Sequence, residues 1–172
     1  MAEQARRRHD RRDRHSRQKA DAVERDRIER VLDRQHQRAP VDAPAVDWRV
    51  GDVARASDVA AALDGCSHVV HLAGLLTPAC QADPLRGAQV NLLGTLHVFE
   101  AARAAGVAHV VYASSAGVYG PHDATAPAPA SLYGTWKLAG EGIARAFFAD
   151  HGTTSVGLRP FIVYGPGRET GV

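Results

Sequence analysis

The sequence predicts an α/β fold, in which a parallel sheet is covered by helices on both faces. Short apolar segments alternate with longer segments of helical pattern from about residue 45 onwards. Strands buried on both faces of a parallel sheet are short and almost continuously apolar, and helical crossovers join them. Ligands of such sheets bind at the carboxyl ends of the strands, so the residues that follow each strand are candidate site residues.

Apolar runs place the strands, and apolar residues at helical spacing place the helices. Gly106 ends the longest helix, because glycine is favoured just beyond the last helical residue. In chain order the sequence predicts a strand over Val46–Val50, a helix over Asp58–Leu63 with Ser57 as N-cap, a strand over His68–Leu72, a helix over Pro84–Ala105 with Val90, Leu93, Leu96, Val98 and Phe99 on its buried side, a strand over His109–Ala113, a loop over Gly120–Ala130, a helix over Tyr133–Asp150 and a strand over Ser155–Arg159.

Tyr133 and Lys137 are the candidate catalytic pair. Positions four apart lie on one face of a helix, so the Lys137 ammonium is predicted to lie near the Tyr133 phenol. A nearby positive charge favours the phenolate, which suits Tyr133 to general acid–base catalysis. Ser114 or Ser115, at the end of the preceding strand, would hydrogen-bond a substrate carbonyl or hydroxyl. An ordinary amphipathic helix can also carry Tyr and Lys at this spacing, so the flanking motifs decide the meaning of the pair.

Five further segments accompany the pair in a fixed order. They are Gly51-Asp52-Val53, Val69-Val70-His71-Leu72-Ala73-Gly74, Asn91-Leu92-Leu93-Gly94-Thr95, Ser114-Ser115-Ala116-Gly117-Val118-Tyr119-Gly120 and Arg159-Pro160-Phe161-Ile162-Val163. In this order they resemble the extended short-chain dehydrogenases/reductases, the NAD-dependent epimerase/dehydratase group. The resemblance runs from about Val31 to the C-terminus, and it is far more specific for the family than for the substrate.

The resemblance implies roles for individual residues and an incomplete Rossmann-like, doubly wound sheet over residues 31–172. Ser115, Tyr133 and Lys137 match the catalytic set of the family. The implied cofactor is NAD, with NADP as an alternative, and the implied substrate is a small molecule such as a sugar or nucleotide sugar. Complete family members are often homodimers, and a cytoplasmic location is expected for this chain. The residues implied in cofactor binding are Asp33, Asp52, Val53, Leu72, Ala73, Gly74, Asn91, Ser114, Tyr133, Lys137, Pro160, Ile162 and Val163.

Two residues depart from the family pattern. Ile162 stands where nucleotide-sugar enzymes often carry Asn, which weakens the expectation of a nucleotide-sugar substrate. Trp136 stands beside the catalytic lysine, where a small residue is usual. It is expected to pack away from the site rather than to line it.

The N-terminal segment 1–30 does not fit the family pattern. The family begins with an apolar strand, a glycine-rich turn and a helix whose N-terminus receives the pyrophosphate. This chain has no glycine before Gly51. Segment 1–30 is therefore predicted to be a polar, basic segment, helical or disordered, that is foreign to the fold. A mis-assigned start or reading frame, a fusion and a genuine basic arm all remain open explanations.

Composition and charge limit the kinds of partner and the compartment that are expected for this protein. Residues 1–38 carry thirteen Lys and Arg against eight Asp and Glu, while the remainder carries eight against eleven. The basic segment mixes both signs and lacks aromatic residues, which argues against nucleic-acid binding. Cys66 and Cys80 give neither a disulfide framework nor a metal spacing, and reduced thiols in the cytoplasm are the simplest interpretation. No apolar run approaches the roughly 20 residues of a membrane span, and none resembles a signal peptide.

The expected function is an NAD(P)-dependent epimerase, dehydratase or reductase. Tyr133 would exchange a proton with a substrate hydroxyl or carbonyl. Lys137 would favour the phenolate form of Tyr133 and hold the ribose, and Ser115 would orient the substrate oxygen. After the Pro160 segment the family adds a small substrate domain, so the residues that select the substrate are expected to lie largely beyond this sequence. The alternative is a non-catalytic remnant or interaction module that binds no cofactor, which the missing glycine turn favours.

Overall fold

The computed structural model describes residues 48–121 and 125–164. Segment 1–30, Asp33 and the first two residues of the predicted strand Val46–Val50 lie outside these ranges. Within residues 48–50, Arg49 forms a single β-bridge. The elements in chain order are α1 (Ala56–Leu63), β1 (His68–His71), α2 (Thr77–Ala82), α3 (Pro84–Ala88), a π-helical turn (Gln89–Leu93), α4 (Gly94–Ala104), β2 (His109–Ala113), a 3-10 turn (Ala116–Val118), α5 (Leu132–His151) and β3 (Thr154–Leu158).

The three described strands form one parallel sheet in the order β1-β2-β3. Val70 of β1 pairs with Val111 of β2, and Val111 pairs with Val156 of β3. The predicted α/β fold with a parallel sheet is therefore confirmed. Right-handed crossovers that step in one direction across a sheet place their helices on the same face. Accordingly, within the described residues Val70 and Val156, on the face opposite the helices, remain 66% and 56% exposed. The second helical layer that the sequence predicts is not found in this part of the chain.

The core lies between the sheet and the helices α1, α4 and α5. Phe99 is fully buried, and its ring packs against Tyr112 of β2 and Phe147 of α5 at centroid distances of 5.7 and 5.5 Å. Val59 of α1 and Val110 of β2 are also fully buried in this cluster. The packing fixes α5 across the carboxyl end of β2, where the candidate catalytic residues lie.

The predicted long helix over Pro84–Ala105 is interrupted by the π-helical turn. The amide of Gly94 bonds to the carbonyl of Gln89, five residues back, instead of four. The wider turn shifts the helical face, because the residues after it are rotated by about one position. Val90, Val98 and Phe99 are buried and Leu96 is partly buried, as predicted, but Leu93 is 45% exposed. The prediction for Leu93 is therefore wrong.

Two helix starts also differ from the sequence-based expectation. Helix α1 begins at Ala56 with Arg55 as N-cap, so the predicted N-cap Ser57 lies inside the first turn. Helix α2 was not predicted, since its six residues are too few to show a helical repeat of apolar positions. Among the described helices, none combines the length and the hydropathy of a membrane-spanning segment.

Helix α5 has well-defined ends and an unusually close contact near its start. Ser131 caps it by accepting a hydrogen bond from the amide of Gly134 at 3.1 Å, and Gly152 ends it in the left-handed conformation, with φ of 69°. A Cβ atom on Gly134 would lie 2.0 Å from the carbonyl oxygen of Gly117. Only glycine lets the helix approach the 3-10 turn this closely.

The Gly134→Ala variant is expected to lose stability, because the new methyl group collides with the backbone carbonyl of Gly117, which cannot move as a flexible side chain can. The loss should be on the order of 1–3 kcal/mol, the usual cost of overpacking. Gly142→Ala is the matched control on the same helix, where an added Cβ meets nothing within 4 Å. It should gain up to about 1 kcal/mol from helix propensity. Urea unfolding of both variants measures the difference, and an equal response would contradict the close contact.

Candidate active site

Lys137 lies buried beneath the loops at the end of β1 and β2. Its side chain is 6% exposed, and its Nζ donates a hydrogen bond to the Ala113 carbonyl at 2.8 Å. The Nζ atom lies 5.8 Å from the centroid of the Tyr133 ring, one helical turn away. Burial lowers the pKa of Lys137 from its ordinary 10.5 to about 8. The helix thus places a desolvated ammonium next to the phenol, as the spacing of the pair predicts.

Ser115 and Tyr133 flank the same glycine. Ser115 caps the 3-10 turn, where its Oγ accepts a hydrogen bond from the amide of Gly117 at 3.0 Å. A Cβ atom on Gly117 would lie 3.3 Å from Ser115 Oγ and 3.6 Å from the Tyr133 ring. The fold therefore brings the three predicted catalytic side chains, Ser115, Tyr133 and Lys137, to one end of the sheet.

Gly74 and Asn91 form the wall next to Lys137. A Cβ atom on Gly74 would lie 2.9 Å from Asn91 Oδ1 and 3.3 Å from Lys137 Nζ. The Asn91 side chain is 1% exposed, accepts from the amide of Leu75 at 3.1 Å and donates to the carbonyl of Leu75 at 3.0 Å. Asn91 thus holds the chain that follows β1, and its predicted cofactor contact would have to act through that chain. Leu72, by contrast, is 70% exposed at the end of β1.

Asp52 and Val53, predicted on the adenine side, have structural partners in this conformation. Both carboxylate oxygens of Asp52 accept from Arg86 Nη2, at 3.0 and 2.9 Å, and one also accepts from the amide of Ala54. Val53 is 8% exposed and packs closely against Gly94. An adenine contact by Asp52 would therefore compete with its ion pair.

Ser114 differs sharply from its neighbour Ser115. The Ser114 side chain is 2% exposed, and its hydroxyl donates to Glu141 Oε1 at 2.6 Å. Successive residues of an extended chain point in opposite directions, so Ser114 faces the protein and Ser115 faces the cleft. Of the two serines that the sequence left open as substrate partner, Ser115 is half-buried and lines the cleft, whereas Ser114 is buried.

An open cleft of about 610 Å³ lies in front of Ser115. Tyr119, Ser131, Pro160 and Ile162 are among the residues that line it. The Pro160 carbonyl accepts a hydrogen bond from the amide of Ala116 at 2.9 Å, which joins the Pro160 segment to the residue after Ser115. Val163 follows with 57% exposure. The predicted segment Pro160–Val163 thus begins beside Ser115. The cleft is large enough for part of a sugar-sized ligand.

Trp136, next to Lys137 in sequence, packs away from the cleft. Its ring is 9% exposed and lies against Gly87, where an added Cβ would approach ring atoms at 2.5 and 2.8 Å. The expectation that it packs rather than lines the site holds in this structure, and the residue fills the space between α3 and α5.

Sequence reasoning missed Glu141 and Arg159. Glu141 accepts from Arg159 Nε at 2.7 Å and from Nη2 at 2.6 Å, besides Ser114. A signal for Glu141 was present, since it lies four residues after Lys137 and so on the same helical face. Arg159 directly precedes the Pro160 segment. Among the described residues, no cluster of three or more His, Cys, Asp or Glu side chains could hold a metal ion.

His71 is a buried neutral base at the end of β1. Thr95 Oγ1 donates its only proton to the Asn91 carbonyl at 2.8 Å, so its 3.1 Å contact with His71 Nε2 requires the imidazole to donate from Nε2. Burial, helped by the charge of Lys137, lowers the pKa of His71 to about 4. Of these two neighbouring bases, Lys137 therefore carries the positive charge and His71 is neutral at pH 7.

The comparisons with known proteins agree with this arrangement. The sequence model of the "NAD dependent epimerase/dehydratase family" matches residues 8–172. The chain belongs to this family. The matched range begins inside the basic segment 1–30, and the family is NAD dependent by its description.

Curated relatives of the family match along part of their length. The chain is 36% identical over 111 residues to GDP-6-deoxy-D-mannose reductase of Pseudomonas aeruginosa, covering 59% of this chain and 36% of the relative. It is also 36% identical over 115 residues to uronate dehydrogenase of Agrobacterium fabrum, covering 63% and 42%. The chain thus spans about two fifths of the length of these relatives.

Solved structures of the family share the fold. MoeE5 in complex with UDP-glucuronic acid and NAD has a TM-score of 0.72 at 33% identity, with 90% of this chain and 53% of that chain covered. UDP-N-acetylglucosamine 4-epimerase from Methanobrevibacter ruminantium, in complex with UDP-N-acetylmuramic acid, has a TM-score of 0.71 at 27% identity, with 80% and 48% covered. The Rossmann-like fold predicted from the sequence is confirmed, with three strands in the described part of this chain.

The buried imidazole of His71 makes stability sensitive to acid. As the pH falls from about 6.5 to about 4, the unfolded chain binds a proton that the folded chain excludes, so stability falls by about 3 kcal/mol. His71→Gln keeps a donor for Thr95 and cannot titrate, so its stability should change less over this range. His68→Gln makes the same chemical change on an exposed residue of the same strand and is the matched control. Denaturant unfolding at several pH values measures the effect; identical pH curves for wild type and His71→Gln would contradict it.

Proposed function

We propose that this chain carries the proton-transfer centre of an NAD(P)-dependent epimerase, dehydratase or reductase that acts on a hydroxyl or carbonyl of a sugar or nucleotide sugar. The observation that supports it most is the convergence of Ser115, Tyr133 and a buried, charged Lys137 at the carboxyl end of β2. Family membership supplies the reaction class. The relatives named for GDP-6-deoxy-D-mannose and uronate, and MoeE5 with its UDP-sugar, support the substrate class.

The proton moves between the substrate oxygen and the Tyr133 phenol. Lys137 stabilises the phenolate through its charge, which buried surroundings screen weakly. Ser115 donates a hydrogen bond to the same substrate oxygen, while one lone pair of its Oγ accepts from the amide of Gly117. Ser115 and Tyr133 hold the substrate oxygen between them. When a hydroxyl is oxidised, the Tyr133 phenolate takes its proton, and when a carbonyl is reduced, the Tyr133 phenol donates the proton to its oxygen.

The nicotinamide half of the cofactor fits the described residues. Lys137 Nζ uses one of its three N–H donors on Ala113, which leaves two for ribose hydroxyls and for Tyr133. Gly74 lies next to Lys137 and has no side chain. A Cβ atom there would lie only 3.3 Å from the Nζ atom. When bound, NAD supplies the acceptor or donor of the hydride. Pro160, Ile162 and Val163 would border its nicotinamide end.

The adenosine half fits less well. Asp52 is engaged by Arg86, and the chain has no glycine before Gly51 to form a pyrophosphate turn. Asp33, which we propose as the partner of the adenosine ribose in a unit over residues 31–172, lies outside the described residues. We therefore expect NAD affinity to be too weak to measure at micromolar cofactor, so assays need millimolar concentrations. These same observations favour the second candidate function, an interaction module without cofactor.

Tyr133→Phe tests the proposed chemistry. Because the substitution removes the proton carrier and leaves the ring, turnover of NAD with a panel of UDP-sugars and free uronates should fall by roughly 100-fold or more. NAD affinity measured by calorimetry at millimolar cofactor should stay nearly unchanged. Tyr164→Phe makes the same chemical change on a residue that is 88% exposed and is the matched control.

Two outcomes would contradict the proposal. A Tyr133→Phe chain that turns over like the wild type would remove the assigned role of the phenol. A wild-type chain that neither binds NAD at millimolar concentrations nor turns over any of the substrates would favour the interaction module.

A further inference from the structure

We propose that Glu141 and Arg159 form a positioning pair that sets the Ser115 side of the cleft against the catalytic helix. This inference rests on the proposed function for its catalytic meaning. The pair joins three elements that are far apart in sequence, and neither residue touches the predicted reacting groups. Both act through their neighbours.

The pair is buried at its acidic end and strongly bonded. The side chain of Glu141 is 11% exposed and that of Arg159 is 31% exposed. Arg159 donates two parallel hydrogen bonds to the two carboxylate oxygens, at 2.7 and 2.6 Å. Such fork geometry fixes orientation as well as distance. The Arg159 hydrogen bonds, more than the rest of the surroundings, hold the pKa of Glu141 below its ordinary value, so the carboxylate keeps its charge.

Glu141 connects the catalytic helix to the catalytic serine. It lies on α5 one turn after Lys137 and two turns after Tyr133, on their face of the helix. It also accepts a hydrogen bond from the Ser114 hydroxyl at 2.6 Å. Since consecutive residues of an extended chain point in opposite directions, anchoring Ser114 inward turns Ser115 outward to the cleft.

Arg159 connects the same carboxylate to the Pro160 segment and to Tyr119. It directly precedes Pro160, whose carbonyl accepts the amide of Ala116, next to Ser115. Its Nη1 donates to the hydroxyl of Tyr119, and the guanidinium carbon lies 4.9 Å from the Tyr119 ring centroid. Tyr119 lines the cleft. One carboxylate of the helix that carries Tyr133 is therefore linked, through Ser114 and Arg159, to Ser115, Tyr119 and Pro160, which line the cleft.

The exposed pair Glu100–Arg103 provides a matched control. It joins Glu100 Oε2 and Arg103 Nη2 at 2.9 Å on the surface of α4, with side chains 51% and 44% exposed. Glu100→Gln and Glu141→Gln make the same chemical change in two settings. Only the second removes the charge that the walls of the cleft share.

The experiment compares wild type, E141Q, R159K, the double variant and E100Q in the full 172-residue chain. With millimolar NAD and the substrate panel, kcat per folded molecule should fall by roughly 10- to 100-fold in E141Q and R159K, since small misplacements of reacting groups have effects of this size. KM for NAD should change little, and the double variant should be no worse than the poorer single variant, because the residues act as a unit. E100Q should match the wild type. R159K keeps a charged partner for Glu141 and should fold even where E141Q does not.

A second measurement does not depend on turnover. In chains labelled with ¹⁵N at serine and phenylalanine, E141Q should displace the amide signal of Phe161 and R159K that of Ser115, while Phe99 in the core stays in place. A merely stabilising pair would lower the melting temperature and leave kcat and these signals unchanged, which would overturn the proposal. An inactive wild type in which both signals move would support the positioning pair and refute the proposed function. An active wild type whose variants keep full kcat would support the proposed function and refute the positioning pair.

Discussion

The site depends on the close approach of α5 to the carboxyl end of β2. Gly134 makes this approach possible, because a side chain there would occupy the space of the Gly117 carbonyl, only 2.0 Å from a Cβ position. Three residues spaced by four then meet the end of β2 in turn. Tyr133 lies beside Gly117, Lys137 bonds to Ala113, and Glu141 bonds to Ser114. A single helix face thus supplies the contacts at the candidate site at this end of the sheet.

That face carries charges where the protein excludes water. Lys137 and Glu141 are both buried, and burial of a charge is unfavourable unless hydrogen bonds compensate for it. Glu141 has three donors, and its charge is stabilised. Lys137 has one backbone acceptor, and its charged form is disfavoured. Glu141 therefore stays ionised, while burial lowers the pKa of Lys137, beside Tyr133, to about 8.

Much of the fold followed from local patterns. Apolar runs located β1, β2 and β3 within one or two residues, and the spacing of Tyr133 and Lys137 placed both on α5. Contacts between distant residues had no local signal. The ion pair of Asp52 with Arg86 joins positions 34 apart, and the extra residue in the π-helical turn moved Leu93 outward although the apolar spacing around it is regular. The choice between Ser114 and Ser115 likewise needed the direction of each side chain. The roles of the predicted site residues remain predictions.

The titration of Lys137 tests the central claim most directly, since the claim is that α5 buries this ammonium against β2 beside Tyr133. The chain has only one other lysine, Lys19, so a Lys19→Arg chain labelled with ¹³C at lysine gives a single side-chain signal. Its chemical shift against pH should show a midpoint near 8, as burial of Lys137 requires. A midpoint at the ordinary value for lysine, near 10.5, would mean that the ammonium is solvated and that the helix does not approach β2 as described.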